Sequence, residues 1–200
     1  MNKTRIEQLR EIFKEKNLVR ARELVTYGIP RHCLASLVAN GEIEQITRGV
    51  YAAVDCDVSS NRTLAEAALR VPRGTVCLLS ALRFHNITTQ IPSRVWMAID
   101  ANSWSPNESE IPLRIFRFSG KALTAGVEEH MIEQVPVKIY CAAKTVADCF
   151  KFRNKIGLDV ALEALRDSLE ERKCTVDEIW YYAEICRISN VIRPYLEATV

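Results

Sequence analysis

The sequence of 200 residues predicts an α+β fold, and three observations predict it. Residues 4 to 41 carry three short helical periods punctuated by Gly28 and Gly41, residues 94 to 141 carry four strand-like runs, and the chain then returns to helical spacing. A block of strands with helices at both ends describes an α+β domain, and four strands in a row describe a mainly antiparallel sheet.

The N-terminal quarter divides into small elements. Thr4 and Glu7 form a capping box, and Ile6, Leu9, Ile12 and Phe13 recur on one face, which predicts a first helix from about residue 5 to 16. Asn17 breaks it. "ARELVTYG" then predicts a short second helix with Ala21, Leu24 and Val25 on one face and Gly28 at a left-handed stop. Pro30 suits the first position of a third helix, because its missing N–H is unsatisfied there in any residue. In that helix Leu34, Leu37 and Val38 are expected to face inward, leaving Arg31, His32, Ala35 and Ser36 outside. Asn40-Gly41 closes it, and "EIEQI" and "VYAA" read as two strands joined by a Thr47-Arg48-Gly49 turn.

Three short helices, a Gly turn between the second and third, and a ribbon with a basic tip describe a winged helix-turn-helix over residues 1–55. In such a module the third helix enters the major groove of double-stranded DNA, while the wing tip and the start of the second helix reach phosphates. Arg31 is the candidate for bidentate guanine readout, with His32 and Ser36 beside it. Arg20, Arg22 and Arg48 are the candidates for phosphate neutralisation. Winged helices also serve as protein-binding modules, and Tyr51 is expected to pack the wing onto the first helix. Charge favours the DNA reading: residues 1–53 hold nine Lys and Arg against six Asp and Glu, net +3, while the rest hold 18 against 19, net −1.

The polar stretch "DCDVSSN", residues 55–61, is the expected linker to a second domain over residues 60–200. This domain is read as mixed α/β: "RTLAEAALRVP" and "CLLSALRFHNIT" as helices, then "RVWMAID", "LRIFRFS", "VEEHMIEQ" and "VPVKIYC" as strands. Val146, Cys149 and Phe150 share a helical face, as do Leu158, Leu162, Leu165 and Leu169, and Thr175 with Glu178 makes a second capping box. Asp148 interrupts an apolar face near Lys144 and Arg153, so a structural ion pair is expected.

With 48% hydrophobic and 26% charged residues the composition is that of a globular protein, neither disordered nor fibrous. The start is dense in charge, and no stretch approaches the roughly 20 apolar residues of a membrane span, so a cytoplasmic protein without membrane contact is expected. Seven cysteines, odd in number and without a C-x-x-C pair, read as reduced thiols. No phosphate-cradling glycine loop, G-x-S-x-G or H-E-x-x-H is present, so no cofactor, metal or catalytic residue is expected. The alternative is a metal-dependent nuclease tethered by the winged helix, which would draw on carboxylates such as Asp100, Glu128 and Glu129 with His130; Glu171 and Lys173 read as a surface pair on a helix.

The order of segments resembles the AbiEi family, antitoxins of the bacterial type IV (AbiE) toxin-antitoxin systems of abortive infection and phage defence. The resemblance rests on "ARELVTYGIPRHCLASLVANGEIEQITRGVYAA", "LLSALRFHNITTQIPSRVWMAI" and "VEEHMIEQVPVKIYCAAKTVADCFKFRNKIGLDVALEAL". It implies a transcriptional autorepressor that binds inverted repeats in its own promoter and a C-terminal domain with antitoxin activity. The functional partner so implied is an AbiEii-type nucleotidyltransferase toxin, countered without a stable complex. Arg20, Arg22, Arg31, His32, Ser36 and Arg48 fall on the module expected to bind DNA, and Arg114, Arg117 and Lys121 are additional candidates in the second domain.

Overall fold

A computed structural model of the protein describes residues 4–55, 60–103 and 112–199. Among these, the chain forms two compact units: the first takes the described residues up to Pro72 together with Met131–Val137, and the second takes the remainder. Most of the expected linker, residues 56–59, and most of the polar loop after residue 103 lie outside the described residues.

The first unit opens with helix α1, Arg5–Glu15, started by the capping box read from the sequence. The Thr4 hydroxyl accepts from the Glu7 amide at 3.3 Å, and the Glu7 carboxylate accepts from the Thr4 amide at 2.8 Å. Leu9 and Phe13 are buried on its inner face. Strand β1, Leu18–Arg20, follows where only a break was expected; its three residues are too few to show a period of two. The expected second helix is a 3-10 helix, Glu23–Tyr27, without a side-chain cap, ending at Gly28 with φ 63°. At three residues per turn Ala21 and Leu24 share the inner face, while Val25, expected inside, is 69% exposed.

Helix α2, His32–Ala39, begins two residues after Pro30, whose carbonyl accepts from the Cys33 amide at 3.1 Å. Pro30 therefore precedes the helix rather than opening it. Cys33, Leu34 and Leu37 are buried, and Cys33 takes the inward place expected for Val38, which is exposed. Strands β2, Ile43–Thr47, and β3, Val50–Ala53, form the ribbon, with Gly49 at φ 77° in the turn and a bulge between Gln45 and Thr47. Because β3 also pairs antiparallel with β1, the ribbon is two-thirds of a three-stranded sheet ordered β1-β3-β2. Helix α3, Arg62–Arg70, packs on β1 and β3, and its Arg62 bridges Glu66 at 3.1 Å and Glu44 at 3.4 Å.

One exposed contact ties α1 to the turn after α2. Arg10 donates from two nitrogens to the Glu42 carboxylate at 2.7 and 2.8 Å, a fork that matches both oxygens. This hydrogen bond holds the Glu42 carboxyl at about 2.

The second unit is a five-stranded sheet ordered β6-β5-β4-β8-β7 with helices around it. The strands of this sheet are β4 (Thr75–Val76), β5 (Val95–Asp100), β6 (Leu113–Phe118), β7 (Val127–Ile132) and β8 (Val135–Tyr140), of which Met131–Val137, the β7–β8 turn with the strand ends beside it, belongs to the first unit. All four strand-like runs become strands, joined by the two-residue β4 that the sequence reading had not separated from its helices. The antiparallel direction expected of the sheet holds for β4 with β5, whereas β5 with β6 and β4 with β8 are parallel. Glu133 and Gln134, both at positive φ, make the two-residue turn from β7 to β8.

Helix α4, Leu78–Phe84, the short α5, Lys121–Thr124, and α6, Ala142–Lys151, pack with the sheet. Beyond them come α7 (Arg153–Ile156), α8 (Leu158–Glu170), α9 (Val176–Ile185) and α10 (Ser189–Glu197). The Thr175–Glu178 capping box opens α9 as expected. In α8 the buried face is Val160, Ala161, Ala164 and Leu165; Leu158 lies outside it. Helix α6 is buried from Ala142 through Phe150, Lys144 and Asp148 included. The Lys144 ammonium donates to Asp148 Oδ2 at 2.5 Å, the Cys186 thiol donates to Asp148 Oδ1 at 3.3 Å, and the ammonium lies 4.2 Å from the Tyr140 ring centre. Burial pushes the Asp148 carboxyl up, and Lys144 draws it back down. The ion pair expected for Asp148 is thus made with Lys144, while Arg153 instead donates to the Phe150 carbonyl.

Two outcomes follow from these contacts. The Glu42 carboxyl is depressed in the folded state, so its contribution is present above about 4.5 and is lost as pH falls towards about 2; Glu42→Gln should flatten stability against pH across that window in acid titrations followed by circular dichroism. Lys144→Met strands a buried carboxylate and should cost about 3–5 kcal/mol in urea unfolding, while adding Asp148→Leu should restore most of that loss.

Candidate nucleic-acid interface

Strand β3 organises the candidate residues around the wing. Its register places Arg20 opposite Val50, and the Ala21 amide donates to the Gly49 carbonyl at 2.9 Å. Arg20 and Arg22, which flank Ala21, are therefore fastened by backbone to the turn that carries Arg48. Glycine at position 49 lets that turn close at positive φ without a Cβ clash against its own backbone. The sequence placed Arg20 and Arg22 at the start of a helix; the structure puts Arg20 in β1 and Arg22 just before the 3-10 helix.

Arg22 and Arg48 are exposed, and Arg20 is half-buried. Burial lowers the affinity of Arg20 for its proton, and the charges of Arg22 and Arg70 lower it further. The Glu23 carboxylate acts in the opposite direction, and a guanidinium remains charged under such pressure. Arg70 is the member that sequence reasoning missed. It lies at the end of α3, far along the chain from Arg20, and nothing in local spacing announces that its charge is felt there.

The other three candidates lie on α2. Arg31 is the N-cap residue, with no side-chain cap hydrogen bond, and His32 and Ser36 follow on the same outer face. All three are exposed, whereas Cys33, Leu34 and Leu37 between them are buried and hold the helix against α1. Tyr51 packs against the core that Leu9 and Phe13 share. These side chains offer hydrogen-bond donors at the start of a helix and fixed positive charge at a ribbon tip.

In the second unit the additional candidates are differently placed. The Arg114 guanidinium lies 4.2 Å from the Trp96 ring centre, a cation–π contact, and Arg117 donates to the carbonyls of Ala101 and Ser103 at 2.8 and 2.9 Å. Lys121 is exposed at the start of α5. Of the carboxylates of the nuclease alternative, Asp100 accepts from the Asn102 amide at 2.8 Å and Glu128 meets His130 at 3.3 Å; the Glu171–Lys173 surface pair is made at 3.5 Å. Among the described residues no group of three His, Cys, Asp or Glu could hold a metal ion, and no helix is long and apolar enough to cross a membrane.

A comparison with curated proteins gives no match. Residues 7–54 match the family described as transcriptional regulator, AbiEi antitoxin, so the family resemblance read from the sequence holds across the winged helix-turn-helix.

Proposed function

We propose that the protein is a DNA-binding transcriptional autorepressor and the antitoxin of a type IV toxin-antitoxin system, acting in the cytoplasm. Residues 1–55 bind inverted repeats in its own promoter. Residues 60–200 supply the antitoxin activity against an AbiEii-type nucleotidyltransferase toxin without a stable complex, and the chain has no catalysis of its own. The observation that carries the DNA-binding part is the arginine cluster fastened to the wing by the Ala21–Gly49 hydrogen bond, within the module that matches a regulator family.

In this reading Arg31 reads a guanine edge through its two parallel donors, with His32 and Ser36 reaching neighbouring base edges. Arg20, Arg22 and Arg48 neutralise phosphates, which sets position without selecting sequence. We assign no phosphate to Arg114 or Arg117, because the first is held over Trp96 and the second by loop carbonyls.

Arg31→Ala should weaken binding to the operator by about 1–3 kcal/mol and leave non-specific binding nearly unchanged. Arg48→Ala should weaken both alike and reduce the slope of log affinity against log salt by about one. Fluorescence anisotropy on operator and scrambled duplexes across a salt series checks both. Equal losses on the two duplexes with an unchanged slope in both variants would overturn the docking.

A further inference from the structure

The second unit contains a cleft of about 610 Å³ lined by three cations, of which only Lys121 is among the candidates for DNA contact. Lys121 at the start of α5, Lys151 at the end of α6 and Arg187 after α9 line it from three separate elements, with Glu184 as its one carboxylate. Among the described residues none of the three cations has a salt-bridge partner. Like charges gathered at one concavity repel, and an anion that enters relieves that repulsion.

Arg187 reaches the cleft from a helix end. Its backbone has φ 59°, the left-handed region that closes a helix end. Its amide donates to the Glu184 carbonyl at 3.0 Å, and the next amide donates to the Ala183 carbonyl at 2.9 Å. Glycine is the unstrained residue for that position, and an arginine there is strained. Arg172 closes α8 with the same left-handed conformation, at φ 54°, so the conformation itself is a helix stop and Arg187 counts for the cleft through its charge. The walls are also locked together beneath the cations, because Cys186 hydrogen-bonds Asp148 on α6, one turn before Lys151.

We propose that this cleft binds a small molecule bearing at least two linked phosphoryl groups. Its volume is in the range of small-molecule sites, about 300–1,000 Å³. Three cations against one carboxylate suit a multiply charged anion, and no aromatic ring lines the cleft to stack a base, so the phosphoryl groups are what it recognises. The cleft shares no residue with the winged helix, so this assignment stands or falls independently of operator binding.

The test is isothermal titration of the full chain with inorganic pyrophosphate and with inorganic phosphate at fixed ionic strength. Pyrophosphate should bind saturably at one site and more tightly than phosphate. Arg187→Gly should weaken it by about tenfold or more, the scale of one charge-assisted contact, while the thermal midpoint stays level or rises because strain is relieved. Lys121→Ser should weaken it as well, Glu184→Gln should tighten it, and Lys155→Ser, outside the cleft, should leave it unchanged. No saturable binding, or equal binding by Arg187→Gly and wild type, would overturn the proposal. So would a loss of duplex DNA affinity in Arg187→Gly without pyrophosphate binding, which would give these cations to a nucleic-acid backbone instead.

Discussion

The double pairing of β3 is the constraint on which the proposed DNA-reading module depends. A two-stranded ribbon alone is marginal in water, and its tip would be free to splay. Pairing with β1 adds a third strand, buries Ala52 between its neighbours and fastens the Arg20–Arg22 segment to the wing turn. The same apolar cluster that receives Leu9 and Phe13 from α1 receives Leu34 and Leu37 from α2, so the outer face of α2 is set by what its inner face buries. Wing charges and the donors of α2 thus belong to one small core, even though none of them contributes to it.

The second unit solves a different problem, the burial of a helix on all sides. Helix α6 packs against α4, α8 and α9, and an entirely apolar sequence would satisfy it. Instead it carries Lys144 and Asp148 one turn apart, each fully out of water. An ion pair in such a place adds little net stability compared with apolar residues of the same volume, but it tolerates only arrangements in which both partners meet. Tyr140, Phe118 and Cys186 complete its surroundings, which fixes how β8, β6 and the end of α9 approach α6.

What could be read in the sequence had local causes. Both capping boxes, Gly28 and Gly41 at positive φ, and the four strand-like runs were legible because a few neighbouring residues determine each. Strand β1 and the 3-10 character of residues 23–27 were not, since three residues show no period and a five-residue segment fits either helical pitch. The exposure of Val25 followed from that pitch, whereas Val38 is exposed because Cys33 completes the inner face of α2 in its place. Parallel pairing of β5 with β6 was hidden too, because direction is set by the connection and not by the strand's own composition. At the candidate interface, the exposure of Arg22, Arg31, His32, Ser36 and Arg48 was legible from helical phase and turn position. The influence of the Arg70 charge on Arg20 was not, because it arises from the packing of α3 on the sheet.

The central claim is that the winged helix-turn-helix selects a DNA sequence belonging to this protein's own gene. An electrophoretic mobility shift with the wild-type chain tests it most directly, using the DNA upstream of that gene against a scrambled duplex of equal length, at low and at physiological salt. The account predicts retardation of the upstream DNA at both salts, weaker at the higher one, and loss of the scrambled duplex first. Equal retardation of the two duplexes, or none of either, would contradict it.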